Sequence, residues 1–524
     1  MILTSSFPPV DVPDLPLHQV VLHRAAERGN APAIVDCVTD RALSYADVAD
    51  GARRCAGGLA TLGMGRGDVL AIMLPNLPEF AIAYHGALAA GVTLTTLSPL
   101  SSVEEATFAL TDTRARFLVT SSAFLDVALA AADKAGVEYL AVLGGGDGPG
   151  DAGVIAFADL LADPAEPPDV AIDPRTDVAA LLYSSGTTGA PKAVQLTHRA
   201  LVAALLQIEA LTPFAITDTV LCPVPFFHIA GQAAGINKTL GAGATLLTLP
   251  RFDLDVFLGA IERHRVSAVV GAPPIVHAFA AHPLVDRHDL SSLERIVSGS
   301  APLSAALQSA CAARLGRYVG QAYGLTETGL ILAASPHDRP ARPGAAGMLC
   351  PSTQARLVDP ETGRDVPTGE AGELWVRGPQ LMSGYLGRPD ATAATIDAEG
   401  WLRTGDLVRI DEDGWLFVID RLKELIKYKG FQVAPVELEG LLIEHPAVAD
   451  VAVVGRPDAD AGEIPVAHVV RRRPVDAAEL IAHVAARVSP QHRVRAVEFV
   501  DAIPRSPAGK ILRRQLALAE RAAS

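Results

Sequence analysis

From residue 69 to residue 135 the chain alternates short β-type runs with helix-type runs: 69–74, 79–90, 93–97, 103–109, 117–120 and 124–135. Strand and helix in strict alternation at this spacing call for parallel strands joined by crossover helices, so this part of the chain reads as α/β. Residues 81–103 carry no formal charge, but Gly86, Gly91, Pro99 and a cluster of Ser and Thr interrupt them. They read as a buried helix, a turn and a strand, with no membrane span.

At 524 residues the chain has room for three or four units of roughly 150 residues and a sizeable core. Its 49% hydrophobic content excludes a disordered chain. A net charge of −15 argues against a broad nucleic-acid-binding face, so any anionic ligand must be met by a local cluster of cations. Cysteines 37, 55, 222, 311 and 350 are scattered, with no CxxC pair or metal-ligand spacing, and the N-terminus shows no signal-peptide pattern. A reduced, cytoplasmic setting is the expectation. Residues 144–150 and 163–174, rich in Gly, Pro and acids, read as surface connections. Beyond residue 400 the pattern changes: short strands at 408–410 and 415–419 alternate around Asp/Gly turns. Strands at 449–454, 466–470 and 496–500 with a helix at 477–487 then make a small α+β unit. A domain boundary is expected near Asp420.

The segment Tyr183-Ser184-Ser185-Gly186-Thr187-Thr188-Gly189-Ala190-Pro191-Lys192 collects hydroxyls, bare amides and one cation, the chemistry needed to hold a polyphosphate. A solvated turn has the same composition, and the lysine spacing is not that of a Walker motif. Apolar residues 179–183 before it read as strand and residues 197–206 after it as helix, which puts the loop between a strand and a helix. His228 follows two aromatics, a position typical of core histidines but open to a gating role. Residues 266–280 read as a buried strand turning through Pro273-Pro274. Gly299-Ser300-Ala301 ends a strand in a turn that lets backbone approach a flat ligand. Gln321 to Thr328 offers Tyr323 as an aromatic face and Glu327 as a carboxylate suited to Mg²⁺, or else a capped helix start. Asp406 is expected in a turn, where it would bind ribose hydroxyls or make an Asx turn. Residues 420–430 concentrate four cations, either as a solvated strand or for an anion passing nearby. Lys510 sits on a glycine-containing loop able to carry a cation into a distant site. Arg471-Arg472-Arg473 reads as an exposed turn.

These motifs, 184–192, 321–327, 401–406, 420–430 and 506–510, stand in the order and at the distances found in the acyl-adenylate-forming superfamily of acyl-CoA synthetases, adenylation domains and beetle luciferase, which the whole chain resembles. Residues 423–435 and 509–514 are most similar to 4-coumarate:CoA ligases. The resemblance implies a large multi-subdomain N-terminal α/β domain over 1–420 and a small mobile C-terminal α+β lid over 421–524. It implies ATP, Mg²⁺ and coenzyme A as partners of a small carboxylic acid, no nucleic acid, and a monomer or homodimer. By resemblance, Ser184, Ser185, Gly186, Thr187, Thr188 and Lys192 cradle phosphates. Gly299, Ser300, Ala301, Gln321 and Tyr323 hold adenine, Thr326 the phosphate, Glu327 the metal, and Asp406 with Arg421 the ribose. Lys423 is the hinge, Lys510 the adenylation lysine, and Lys427 contacts the adenylate after lid rotation. Lys429, Gly430 and Arg251 meet CoA. His228, Ala230, Ala322 and Gly324 shape the acyl pocket.

Three departures bear on the substrate: Ala193 replaces the usual glycine after the loop lysine, Ala322 a common glycine before the tyrosine, and Ala230 a tyrosine common in coumarate ligases. They point away from strict 4-coumarate specificity. Cinnamate, another aryl acid or a medium-length fatty acid fits as well. An enzyme loading a carrier protein, a catalytically silent relative and a P-loop NTPase are the competing readings.

Overall fold

The strands expected before residue 135 form one sheet, and the phosphate-type segment is joined to it. The computed structural model of the protein describes all residues except 1, 145–152, 164, 185–190, 331, 430, 459, 507–509 and 524. An eight-stranded sheet runs Gly384–Tyr385, Lys192–Thr197, Val178–Ser184, Thr93–Thr96, Val69–Met73, Phe117–Ser121, Tyr139–Leu143 and Val154–Ala156. From Val178–Ser184 to Val154–Ala156 every pairing is parallel. The crossover helices Pro78–Ala89 and Val103–Thr113 obey local rules. Pro78 stands at the first turn of one, and Ser102 caps the other in a reciprocal box with Glu105. All but the ends of Pro78–Ala89 is buried, which explains a stretch without charge.

The fourteen-stranded sheet has two characters. Pro32–Asp36, Thr245–Thr248, Thr219–Leu221, Ala268–Gly271, Arg295–Ser298 and Tyr318–Tyr323 are parallel neighbours. Past Tyr318–Tyr323 the sheet continues with antiparallel strands, among them Ala371–Arg377, Leu402–Ile410 and Trp415–Arg421. In open α/β sheets ligands lie outside the carboxyl ends of such strands.

Three local expectations are corrected. Lys192–Thr197 is a strand antiparallel to Val178–Ser184, so residues 185–190 connect two strands of a hairpin and do not join a strand to a helix. The helix begins only at His198, where Thr197 accepts the Ala200 N–H at 3.1 Å. Pro273-Pro274 does not turn a strand: it opens the helix Pro273–Ala281, because proline lacks only an N–H that the first helical turn leaves unused. Asp406 is not in a turn: it lies within the strand Leu402–Ile410, opposite Arg421.

The C-terminal strands Ile426–Tyr428, Phe431–Val433, Val448–Asp458, Gly462–Arg471 and Ala496–Phe499 form a separate sheet, antiparallel except for the last pairing, with its own apolar core under Pro435–Ile443 and Ala477–Ala485. No helix among the described residues is long and apolar enough to cross a membrane.

Candidate active site

Strand ends from both large sheets, and one loop of the C-terminal unit, converge on a cavity of about 580 Å³. Ser184 closes the strand Val178–Ser184, Val270 and Gly271 close Ala268–Gly271, Gly299 and Ser300 follow Arg295–Ser298, and Tyr323 closes Tyr318–Tyr323. Ser300 has φ of +69°, a left-handed conformation that a non-glycine residue rarely adopts. Such strain is kept where the surrounding structure over-determines it, and here it turns the chain at the cavity wall.

Of the residues singled out from sequence, Ser184, Lys192, His228, Ala230, Gly299, Ser300, Ala322, Tyr323, Gly324, Thr326, Glu327, Arg421, Lys423 and Lys510 line this cavity. Ser185, Gly186, Thr187, Thr188 and Gly430 lie outside the described residues. Ala301, Gln321, Asp406, Lys427, Lys429 and Arg251 are not in the lining. Gln321 is buried with its side chain turned to the Leu303 backbone and to Gln308, so it braces the 299–303 turn from behind. Asp406 is 2% exposed and stands behind Tyr323. Lys427, Lys429 and Arg251 are exposed on the surface.

Lys192 and Glu327 are connected through a residue that the sequence did not flag. The Lys192 ammonium lies 4.4 Å from the centre of the Tyr385 ring, and the Tyr385 hydroxyl donates to Glu327 Oε1 at 3.0 Å. A cation, a phenol and a carboxylate thus share one wall. The donor set of Glu327 with the neighbouring Thr326 hydroxyl is oxygen only, the kind that Mg²⁺ takes together with phosphate oxygens. Tyr385 sits in Gly384-Tyr385-Leu386-Gly387, which has no pattern to mark it.

His228 Nδ1 accepts the Ala230 N–H at 3.2 Å, which leaves the ring proton on Nε2. Burial, helped by the positive charge of Lys510, pushes its pKa down to about 4, so the ring is neutral at physiological pH. Lys510 is itself shifted down to about 8 by burial and by repulsion from Arg421, against the pull of Glu424 and Asp406. A lysine near its titration point beside a neutral imidazole stands in the cavity. Burial raises the Asp406 carboxyl above its ordinary value, while Arg421 and the Tyr323 hydroxyl oppose the shift.

The lining supplied by Ile208, Thr212, Val224, Ile229, Ala230, Ala234 and Lys238 is apolar apart from Thr212 and Lys238. Ala230, Ala234 and Lys238 follow one another at four-residue intervals through the π-helical segment Gly231–Asn237 into the helix Lys238–Ala242, and all three line the cavity. Segments of π-helix often mark functional sites. A Cβ on Gly231 would meet the Pro225 carbonyl oxygen at 2.3 Å, so only glycine lets this segment start so close to the loop that carries His228. Lys238 was not anticipated. Its signal was available, since it is the only formally charged residue between His228 and Arg251.

Residues 21–386 match the family described as AMP-binding enzyme, and residues 437–510 match the AMP-binding enzyme C-terminal domain. The chain is 41% identical over 537 residues to 4-coumarate–CoA ligase 2 of Oryza sativa subsp. japonica, covering 98% of this chain and 94% of the relative. Among solved structures, an anthranilate CoA ligase, AuaEII, in complex with anthranoyl-AMP superposes with a TM-score of 0.89 at 26% identity over 98% of each chain. ATP-bound MatB from Rhodopseudomonas palustris superposes with a TM-score of 0.86 at 30% identity, over 96% of this chain and 99% of the other. The chain belongs to the AMP-binding enzyme family of acyl-adenylate-forming enzymes, close to the 4-coumarate–CoA ligases.

Proposed function

We propose that the protein is an AMP-forming acid–CoA ligase whose acid is an aryl or arylpropenoic acid. In the first half-reaction a carboxylate oxygen of the acid forms a bond to the α-phosphorus of ATP as the bond from that phosphorus to the β-bridging oxygen breaks, and pyrophosphate leaves. In the second, the CoA sulfur, having given its proton to water, bonds to the acyl carbon, the bond to the adenylate oxygen breaks, and AMP leaves.

The obstacle in the first step is charge. Two like unit charges 4 Å apart repel by about 1 kcal/mol in water and about 4 kcal/mol at an effective dielectric of 20. Lys510 screens the approaching carboxylate and the α-phosphate together, and Lys192 screens the outer phosphates. His228, neutral and donating from Nε2, orients the carboxylate end of the acid without competing for its negative charge. Tyr323 and the Gly299-Ser300 turn make the adenine wall, while Arg421, in the cavity, approaches the ribose with Asp406 behind it. Mg²⁺, which neutralises phosphate charge when bound, would be held by Glu327 with Thr326.

In the second step the unit from residue 421 onward turns about Lys423, carrying Lys510 out and Lys427 in. Residues 1–420 and 421–524 are the two bodies of this motion, and CoA is met by the exposed Lys429 and Arg251 together with Gly430, which lies outside the described residues. Five buried free thiols suit a reducing cytoplasmic setting.

The observation that carries the reading is the presence of Lys510, from the C-terminal unit, in one cavity with His228 and Glu327 from the large one. The test is acid-dependent ATP–pyrophosphate exchange over a panel of aromatic and aliphatic acids, followed by addition of CoA. Exchange with aromatic acids and formation of a thioester is the expected result. Exchange without a thioester indicates transfer to another acceptor such as a carrier protein, exchange confined to aliphatic acids indicates a fatty acyl ligase, and no exchange at all removes the enzyme.

A further inference from the structure

Lys238 is a buried cation that lines the cavity eight residues beyond Ala230 on the same helical path. Its residue is 2% exposed, and its ammonium donates to the Thr212 backbone carbonyl and, at 2.9 Å, to the Thr212 hydroxyl. The third side is covered by the face of Phe214, whose ring centre lies 3.5 Å away. All three partners are neutral. Among the described residues no carboxylate comes within 4.0 Å of the ammonium. Glu209 and Asp218 act on it only from a distance, with Arg295 opposing them, and Asp218 is itself engaged by Arg295 and Ser267.

Burying a charge is expensive, and burial pushes the lysine pKa down against the attraction of Glu209, the strongest charged influence on it. A lysine filling space in an apolar wall is easily replaced by methionine or leucine, which avoid that cost. What distinguishes this one is that it lines the cavity, together with Thr212. At about 1.5 Å per residue the helical path from Ala230 to Lys238 covers roughly 12 Å, a little less through the π-turns, which is room for a ring and a short spacer. The side chains along that path, Ala230 and Ala234, are too small to fill it or to offer a hydrogen bond.

We infer that Lys238 is a specificity-determining residue that receives a second, anionic oxygen group at the distal end of the acid, so that the preferred substrate class is an aryl or arylpropenoic acid with a carboxylate at each end. This rests on the acid–CoA ligase reading and names its substrate. The occupant adds an anionic oxygen in direct contact to the attraction that Glu209 and Asp218 exert from beyond 4.0 Å.

The test compares three acids that differ only at the para position, 4-carboxycinnamate, 4-methylcinnamate and cinnamate, in ATP–pyrophosphate exchange by the full-length protein. The expected wild-type kcat/KM is higher for 4-carboxycinnamate than for 4-methylcinnamate by at least about tenfold, because only the carboxylate gives the buried ammonium an anionic partner beyond Thr212 and Phe214. Lys238→Met is expected to reduce that ratio at least about tenfold, with cinnamate changed by less than about threefold. A wild-type preference for the methyl or unsubstituted acid overturns the inference, and so does an unchanged ratio in Lys238→Met. If Lys238→Met does not fold, the wild-type ratio alone decides. Failure of every aromatic and aliphatic acid to support exchange overturns the ligase reading instead, a different result from activity with the wrong ranking.

Discussion

The hydroxyl of Tyr323 donates a 2.6 Å hydrogen bond to Oδ2 of Asp406. Tyr323 ends the last parallel strand of the large sheet, and Asp406 lies on the antiparallel strand Leu402–Ile410, so this bond ties the two halves of that sheet at the cavity. Arg421 Nε holds the other carboxylate oxygen at 3.2 Å. Asp406 thus fixes the aromatic wall from behind and orients a guanidinium that reaches the cavity.

Tyr323→Phe keeps the ring but removes the hydroxyl, leaving a 2% exposed carboxylate one donor short. Leaving a buried group unsatisfied costs about 1–3 kcal/mol. Steady-state assays should show a KM for ATP raised roughly tenfold by such an energy, with a much smaller change in the KM for the acid. An equal rise in both constants would mean that the ring does not lie on the nucleotide side.

In the proposed mechanism Lys510 acts as a cation, so its pKa sets an upper pH limit for the first half-reaction. Burial brings that value down to about 8, which leaves the side chain charged below that pH and neutral above it. The pH profile of kcat/KM for pyrophosphate exchange, which reports the free enzyme, should fall as pH rises through about 8. Arginine at this position stays charged throughout, so Lys510→Arg should move the fall to higher pH whatever it does to the maximum. Lys510→Ala should slow adenylation by at least about 10² to 10³-fold, as loss of a preorganised donor does.

Legibility in the sequence followed locality. The alternation 69–135, the antiparallel pair near 408–419 and the C-terminal strands rest on short-range periodicity, and each is present where the pattern puts it. The hairpin after residue 184 was misread because Lys192–Thr197, with burial on most of its positions, has no strict polar alternation and runs directly into a capped helix. Asp406 was placed in a turn because Gly405 precedes it. In the strand Gly405 takes a φ of +70° without ending the ladder. Of the residues marked by glycine, charge or aromatic motifs, Lys192, His228, Tyr323 and Lys510 line the cavity, while Asp406, Lys427, Lys429 and Arg251 do not. Tyr385 and Gln321 show the limit: one reaches Glu327 from 58 positions away, and the other points behind the wall that its neighbours form. Side-chain direction of this kind depends on tertiary packing.

Lys427 and Lys510 are both cations of the C-terminal unit, yet only Lys510 stands in the cavity, and Lys427 is exposed on the strand Ile426–Tyr428. The proposed turn of the unit exchanges them, so the two half-reactions should separate genetically. Lys427→Ala should leave acid-dependent pyrophosphate exchange within about threefold of wild type and slow thioester formation from the preformed adenylate by at least about tenfold. A parallel loss in both steps would show that the lysine supports the fold of the unit and not the second step.

Arg513 ties the segment after Lys510 to two carboxylates. It opens the helix Arg513–Ala523, three residues after Lys510, and its guanidinium donates to Glu424 at 2.7 Å, next to Lys423, and to Glu439 at 2.6 Å, on the helix Pro435–Ile443. All three side chains are 12–15% exposed. Even with the arginine present, burial pushes Glu439 up to about 7. Arg513→Ala would leave two buried carboxylates facing one another, a defect worth about 3–5 kcal/mol. Without the arginine that opposes the rise, Glu439 in the variant has a folded pKa further above the unfolded one. Its protonated form is favoured by folding, so its contribution is fully present below the unfolded pKa and is lost as pH rises through the folded pKa. Denaturant unfolding of the variant should therefore show a stability deficit against wild type that is larger at pH 8 than at pH 5.5, and a deficit independent of pH would locate the damage in packing of the helix.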